Sequence, residues 1–198
     1  KLNAANPKDL QILREVSLSY NKLGYATQRN GDIQAARSHY QQAFDVAEKL
    51  AEADSTNTQY LHDLSISYGY LGNIALLTGN PQESSQLYLK QLDINTKLAA
   101  DANDVPAQRD VLKSLEMLGH LSQRSGLREI AFGFHKRVNE IAQKLAVIDP
   151  TSAQAQRELA ISFEQLADAT LRKGQVQEAL ALFRSGLEIK RMLVKSDP

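Results

Sequence analysis

The chain has 198 residues, and its 23 Lys and Arg balance its 23 Asp and Glu, giving a formal net charge of zero. That balance argues against a general nucleic-acid binder, whose affinity comes from neutralising phosphates, and against a polybasic membrane anchor. Cysteine is absent, which excludes disulfides, thiolate metal sites and Cys nucleophiles and fits a reducing, cytoplasmic setting.

The segment Asn6-Pro7-Lys8-Asp9 reads as a helix start: a capping Asn, Pro at the first helical position and an acid in the first turn. The first helix is expected to run to about Arg29, with Ile12, Leu13, Val16, Tyr20 and Leu23 at helical spacing. Gly31 ends it by supplying a left-handed residue. Asp32 caps a second helix, which turns Ile33, Ala36, Tyr40, Ala43, Phe44 and Ala47 to the core and ends near Ala53. A second pair of helices begins around Asp54-Ser55-Thr56-Asn57 and turns at Thr78-Gly79-Asn80-Pro81. There Asn80 as cap, Pro81 at the first position and Glu83 in the first turn make the clearest helix start of the chain. In the third pair, Asn103 to Pro106 opens the first helix and Gly126 closes it. Gly133 falls inside its second helix at a cost of about 1 kcal/mol, which packing by Phe132 and Phe134 offsets in part. The fourth pair begins at Asp149-Pro150 and turns at Gly174. No stretch reads as a strand, and connections this short make successive helices antiparallel. No apolar run approaches the roughly 18 residues that span a bilayer, and no secretory leader is visible.

The four turn glycines, Gly31, Gly79, Gly126 and Gly174, are spaced by 48, 47 and 48 residues. Other positions keep step: large apolar Tyr20, Tyr68, Leu115 and Phe163; then Leu23, Leu71, Leu118 and Leu166; then small Gly24, Gly72, Gly119 and Ala167. After each turn come Ala36, Ser84, Ala131 and Ala179, then Tyr40, Tyr88, His135 and Phe183, and each unit closes on Leu50, Leu98, Leu145 or Leu193. Such self-similarity marks a stacked-repeat protein. The expected architecture is all-α, four antiparallel helix hairpins in one array over 1–198, with units of approximately 3–53, 54–100, 101–148 and 149–196. The small series sits where the two helices of a hairpin face each other, so a bulky residue at Gly72 or Ala179 should cost about 1–3 kcal/mol. Lys1-Leu2 aligns with Lys49-Leu50, and Asp197-Pro198 with Asp149-Pro150, so the chain is expected to be a fragment of a longer protein.

The pattern Tyr20-x2-Leu23-Gly24, followed by Gly31, Ala36, Tyr40 and Ala43, resembles the tetratricopeptide repeat. The resemblance extends over the whole chain in four copies and is most specific in the first, second and fourth. The family's period is about 34 residues, and its unit-end Pro is replaced here by Glu48, Thr96, Gln143 and Arg191. The excess of about 14 residues is roughly four helical turns, which lengthens both helices to about 20–24 residues and nearly keeps the same face inward. The resemblance implies a right-handed α-solenoid whose first helices line a concave surface for partner peptides or domains. Carried over, the lining is Asn21, Tyr25, Gln28 and Arg29 in unit one and Asn73, Leu76 and Leu77 in unit two. Unit three offers Glu116, His120, Gln123 and Arg124, and unit four Glu164, Asp168 and Arg172. Leu76 and Leu77 form an apolar patch flanked by arginines, suited to a peptide with an apolar anchor and acidic flanks. The competing reading packs both leucines against neighbouring helices.

No phosphate-binding loop, nucleophile elbow, metalloprotease helix or dinucleotide fingerprint occurs. Among His39, His62, His120 and His135, no pair has metal-ligand spacing on one helix face, and His135 takes a core aromatic position. No metal or cofactor is therefore expected. The pairs Arg14-Glu15, His62-Asp63, Arg109-Asp110 and Arg157-Glu158 recur with the repeat and suit weak surface ladders between units, each about 0–1 kcal/mol. These readings point to a non-catalytic protein–protein interaction module, a scaffold or adaptor, with no nucleic-acid or membrane partner. The alternatives are self-association through terminal hairpins, the last one exposing Val176, Leu180, Phe183 and Leu187, and a regulatory array attached to an enzyme or signalling domain elsewhere in a parent chain.

Overall fold

The computed structural model describes residues 7–196. Within them the chain forms eight helices and no strand: α1 (Pro7–Arg29), α2 (Ile33–Ala53), α3 (Thr58–Leu77), α4 (Pro81–Leu98), α5 (Val105–Arg124), α6 (Arg128–Ile148), α7 (Ala153–Arg172) and α8 (Val176–Ser196). None of these helices is long and apolar enough to cross a membrane. The expected cap at Asn6 and the alignments of Lys1-Leu2 and Asp197-Pro198 lie outside the described residues. Helix lengths follow the expected range except in α4, which has 18 residues.

The turn inside each hairpin is built the same way. Gly31, Gly79, Gly126 and Gly174 are the positive-φ glycines, at 87°, 80°, 75° and 86°. Each lets the next N–H reach back five residues to a carbonyl at the helix end: Asp32 to Thr27, Asn80 to Ala75, Leu127 to Ser122 and Gln175 to Thr170. This pairing satisfies carbonyls that a helix terminus otherwise leaves open. Asp32 then caps α2 by accepting from the Ala35 N–H. Asn80 departs from expectation: it occupies the cap position, but its side chain makes no cap hydrogen bond and instead donates to Thr78 Oγ1 at 3.2 Å. Pro81 already supplies a helical φ and has no N–H to satisfy, which reduces the need for a cap there.

The chain divides into two compact units, Lys1–Ala100 and Asp101–Pro198, each holding two hairpins. In the first, α1 packs on α2, α3 on α4, and α2 on α3. One apolar cluster gathers Ala36, Tyr40, Leu71 and Ile74, and another Ala47, Ala51, Leu64 and Tyr68, with Phe44 against both. In the second unit α5 packs on α6, α7 on α8, and α6 on α7, around buried Leu115, Leu118, Val138, Ala142, Leu145, Ala160 and Ala167.

The partner of the small position is the aromatic of the second helix. A Cβ on Gly24 would lie 2.6 Å from Tyr40 Cδ1, one on Gly72 2.9 Å from Tyr88 Cε1, and one on Gly119 2.7 Å from His135 Cε1. Each ring therefore lies on bare backbone. In the fourth hairpin the small residue already carries a Cβ: Ala167 is fully buried, and Phe183 at the ring position is only half-buried.

Between hairpins, the recurrent charges pair across neighbouring first helices. Arg14 donates to Asp63 through Nε at 2.5 Å and Nη2 at 3.3 Å, and Arg109 Nε pairs with Glu158 at 3.1 Å. These contacts are not the exposed ladders expected from sequence, because the Arg14 and Asp63 side chains are only 17% and 5% exposed. Removing one partner strands a desolvated charge, which costs about 3 kcal/mol rather than a few tenths.

The two kinds of helical glycine predict opposite outcomes. Gly72→Ala should destabilise the chain by about 1–3 kcal/mol, because the Tyr88 ring must move. Gly133→Ala should stabilise it by about 1 kcal/mol, since nothing lies within 4 Å of the new Cβ. Thermal unfolding of the two variants followed by circular dichroism checks both signs.

Candidate functional site

The first helices of each unit present the residues expected to line a binding face. In the first unit α1 and α3 enclose an open groove of about 450 Å³ lined by Leu18, Asn21, Lys22, Tyr25, Ile66 and Tyr70. Tyr25 is 56% exposed, so its ring is available on the groove wall. Asn21 is buried, and its Oδ1 has no hydrogen-bond partner among the described residues. Tyr70 stacks on Tyr40 with ring centroids 4.6 Å apart and planes at 11°, which ties the groove floor to the hairpin core. Burial, with Tyr70 and Tyr25 nearby, pushes the Tyr40 hydroxyl up to about 12. That hydroxyl donates to Gln28 Oε1 at 3.0 Å, so Gln28 is half-buried and holds the core aromatic. Arg29 is exposed, while Asn73 and Leu76 are half-buried. Leu77 is 54% exposed, so the two leucines divide between the packing and open-surface readings.

In the second unit the corresponding face is polar and cross-linked. Gln165 Nε2 donates to Glu116 Oε1 at 3.1 Å and lies 3.4 Å from His120 Nε2. Burial raises the Glu116 carboxyl above the usual carboxylate range, partly offset by the Gln165 bond and the nearby His120. With its amide oxygen turned toward Arg172, Gln123 accepts from Nε at 2.7 Å and from Nη2 at 3.3 Å. Four of the expected residues (Glu116, His120, Gln123 and Arg172) are thus brought together between α5 and α7. Arg124 and Asp168 are exposed, and Glu164 is taken up by Lys190 of α8 at 2.6 Å.

Sequence reasoning missed Leu18, Lys22, Ile66, Tyr70 and Gln165. The signal was available: Leu18 and Ile66, and Lys22 and Tyr70, each stand one repeat of 48 apart, and Gln165 continues the second series. Among the described residues no group of three or more His, Cys, Asp or Glu is placed to hold a metal ion. His135 is fully buried, and neither ring nitrogen has a hydrogen-bond partner among the described residues. Its ring meets His120 edge-on, with centroids 5.3 Å apart.

Residues 15–97 match the family model of the tetratricopeptide repeat. The first two hairpins are tetratricopeptide repeats. The third and fourth repeat the same turn and the same small-against-large packing, with the departures at His135 and Ala167 noted above. Tetratricopeptide repeats generally serve as non-catalytic protein–protein interaction modules. The crystal structure of BtubC (BKLC) from P. vanneervenii aligns with 92% of the chain at a TM-score of 0.72 and 17% identity. The chain spans 66% of that structure's length, and at this identity the likeness shows the fold alone. The MamA protein matches less well, at a TM-score of 0.46 and 17% identity over 93% of this chain and 97% of its own. YrrB, a TPR protein with an unusual peptide-binding site, has a TM-score of 0.41 at 15% identity, covering 96% of each chain. No curated protein matches the sequence.

The buried His135 predicts an acid-sensitive second unit. Burial, with His120 adding to it, lowers His135 from 6.5 to about 4 in the folded state. The unfolded chain therefore binds the proton first. Stability is fully present above the ordinary histidine value and declines as pH falls toward the folded one, by about 2 kcal/mol near pH 5. His135→Phe should flatten this dependence, as read by thermal unfolding at about pH 7 and about pH 5. An unchanged pH slope in the variant would contradict it.

Proposed function

We propose that the chain is a non-catalytic scaffold or adaptor module that holds a segment of a partner protein along the face of its first helices. The observation that carries this reading is the α1/α3 groove, lined by the exposed Tyr25, the apolar Leu18 and Ile66, and Asn21. An apolar partner side chain seated on Tyr25 and Tyr70 would supply area, and Lys22 and Arg29 would favour acidic residues on either side. In the second unit the network of Glu116, His120, Gln165, Gln123 and Arg172 offers polar groups in place of an apolar pocket, so the anchor belongs to the first unit. Asn73 and Leu77 complete this reading as flanking contacts in the first unit, and Arg124 and Asp168 would serve the face of the second unit by itself. The environment suited to such a module without cysteine is the cytoplasm.

The test is selection of peptides from a displayed library against the whole chain, followed by fluorescence-polarisation titration of the winners. The selected peptides should share an apolar anchor beside acidic residues. Tyr25→Ala should weaken them about tenfold, as expected for an aromatic hot spot, while leaving helicity unchanged. Peptides that bind equally well to the Tyr25→Ala and Lys22→Ala variants would overturn the groove reading.

A further inference from the structure

In the second unit the seam between α5 and α7 is bridged at three levels, each seven residues beyond the last: Arg109 to Glu158, Glu116 to Gln165, and Gln123 to Arg172. Each bridge joins residues 49 apart in sequence. In the first unit the α1/α3 seam keeps the first level, where Arg14 binds Asp63. At the next two levels Tyr70 and Leu77 stand where α7 has Gln165 and Arg172. Among the described residues, no hydrogen bond joins them to Asn21 or Gln28 of α1. Beyond Arg14 the seam is therefore open, and the groove of about 450 Å³ lies there.

Both walls of this groove are periodic. On α1, Leu18, Lys22 and Tyr25 line it at steps of four and three residues, and Arg29 continues the stripe four further on. On α3, Ile66 and Tyr70 line it, and the exposed Leu77 continues the stripe seven residues beyond Tyr70. Paired helical stripes of this spacing leave holes that receive the knobs of a third helix. The polar side chains of the seam cannot hold an extended backbone. Asn21 is buried, Gln28 is engaged by the Tyr40 hydroxyl, and Asn73 adds a single amide. An extended segment laid there would leave its own N–H and C=O groups unpaired, whereas a helix pairs them internally.

Charge is confined to one wall. The formally charged residue of α3 is Asp63, already bound by Arg14. Lys22 and Arg29 of α1 are exposed and make no ion pair among the described residues. Seven residues separate them, about 10.5 Å along the helix axis.

We propose that the occupant of the groove is an amphipathic α-helix of about three turns whose one flank carries acidic residues seven apart. This rests on the groove reading above and adds the conformation and register of the bound segment. The acids face Lys22 and Arg29. Apolar residues one and four positions after each acid fill the seam over Leu18, Tyr25 and Tyr70, and the uncharged flank lies on Ile66 and Leu77. Reversing a helix exchanges its flanks, so the acidic flank sets the direction in which the segment lies.

Fluorescence polarisation of labelled peptides of about 16 residues against the whole chain tests the proposal. The first peptide is built of alanine and glutamine, with two glutamates seven apart and a leucine one and four positions after each. A second replaces a central alanine by proline. A third sets the glutamates three apart, the spacing at which an extended chain would reach both cations. The first should bind, with carbon chemical shifts showing helix in the complex, and the other two should bind about tenfold or more weaker. Lys22→Glu together with Arg29→Glu should weaken the first peptide about tenfold and favour a copy with lysines in place of its glutamates. Circular dichroism confirms that the variant is folded. Peptides selected from the displayed library that bind through Tyr25 while the first peptide does not would overturn the helical occupant and leave the groove reading standing. Equal binding of the proline copy, tighter binding of the close-spaced copy, or an unchanged preference after charge reversal would overturn it likewise. Failure of every peptide, designed or selected, would overturn both.

Discussion

The structure depends on one contact, made in three of its four hairpins: a ring from the second helix resting on backbone that lacks a side chain in the first. Where Gly24, Gly72 and Gly119 stand, a Cβ would fall 2.6 to 2.9 Å from Tyr40, Tyr88 or His135, well inside van der Waals distance. That approach sets how close the two helix axes lie. It also buries the ring completely or nearly so, at 0% exposure for Tyr40 and His135 and 2% for Tyr88. With the hairpin spacing set, the positive-φ glycine fixes its turn.

The contact is not equally good in every copy. Tyr40 gains a hydrogen bond to Gln28 and a stacked Tyr70, so its polar tip is served while its ring is buried. His135 takes the same place with two unpartnered ring nitrogens among the described residues. Packing there comes at the expense of unmet hydrogen bonds, which cost about 1–3 kcal/mol each when buried. Ala167 relaxes the contact in a third way, leaving Phe183 half-buried. One geometric rule thus yields hairpins of unequal local stability, in the sense that separate parts of a protein open at different free energies.

Most of the fold was legible because it is written in period. The glycines at a step of 48, 47 and 48 mark the turns, and apolar positions at helical spacing mark the helices, although Ile12, Val16 and Leu23 of α1 stay exposed. Two things were not legible. The charged pairs looked like surface ladders because sequence order does not reveal that Asp63 is buried at 4% exposure; that follows from how α1 leans on α3. Of the α1/α3 groove, the sequence indicates Asn21 and Tyr25 but not Leu18, Lys22, Ile66 and Tyr70. Those residues keep the same period, but deciding which strip of a lengthened helix faces its neighbour needs the helix pair. Asn80 holds the cap position that the sequence indicates, but its side chain turns to Thr78 instead of the helix N–H groups.

The central claim, that the ring-on-glycine contact sets the stability of each hairpin, is tested most directly by native-state hydrogen exchange resolved by residue. The second and third hairpins give the cleanest comparison, since the rings of Tyr88 and His135 are both almost fully buried. The account predicts that amides flanking Gly72 and Tyr88 exchange most slowly, and that those flanking Gly119 and His135 exchange faster. Equal protection at both contacts, or slower exchange near His135 than near Tyr88, would contradict it.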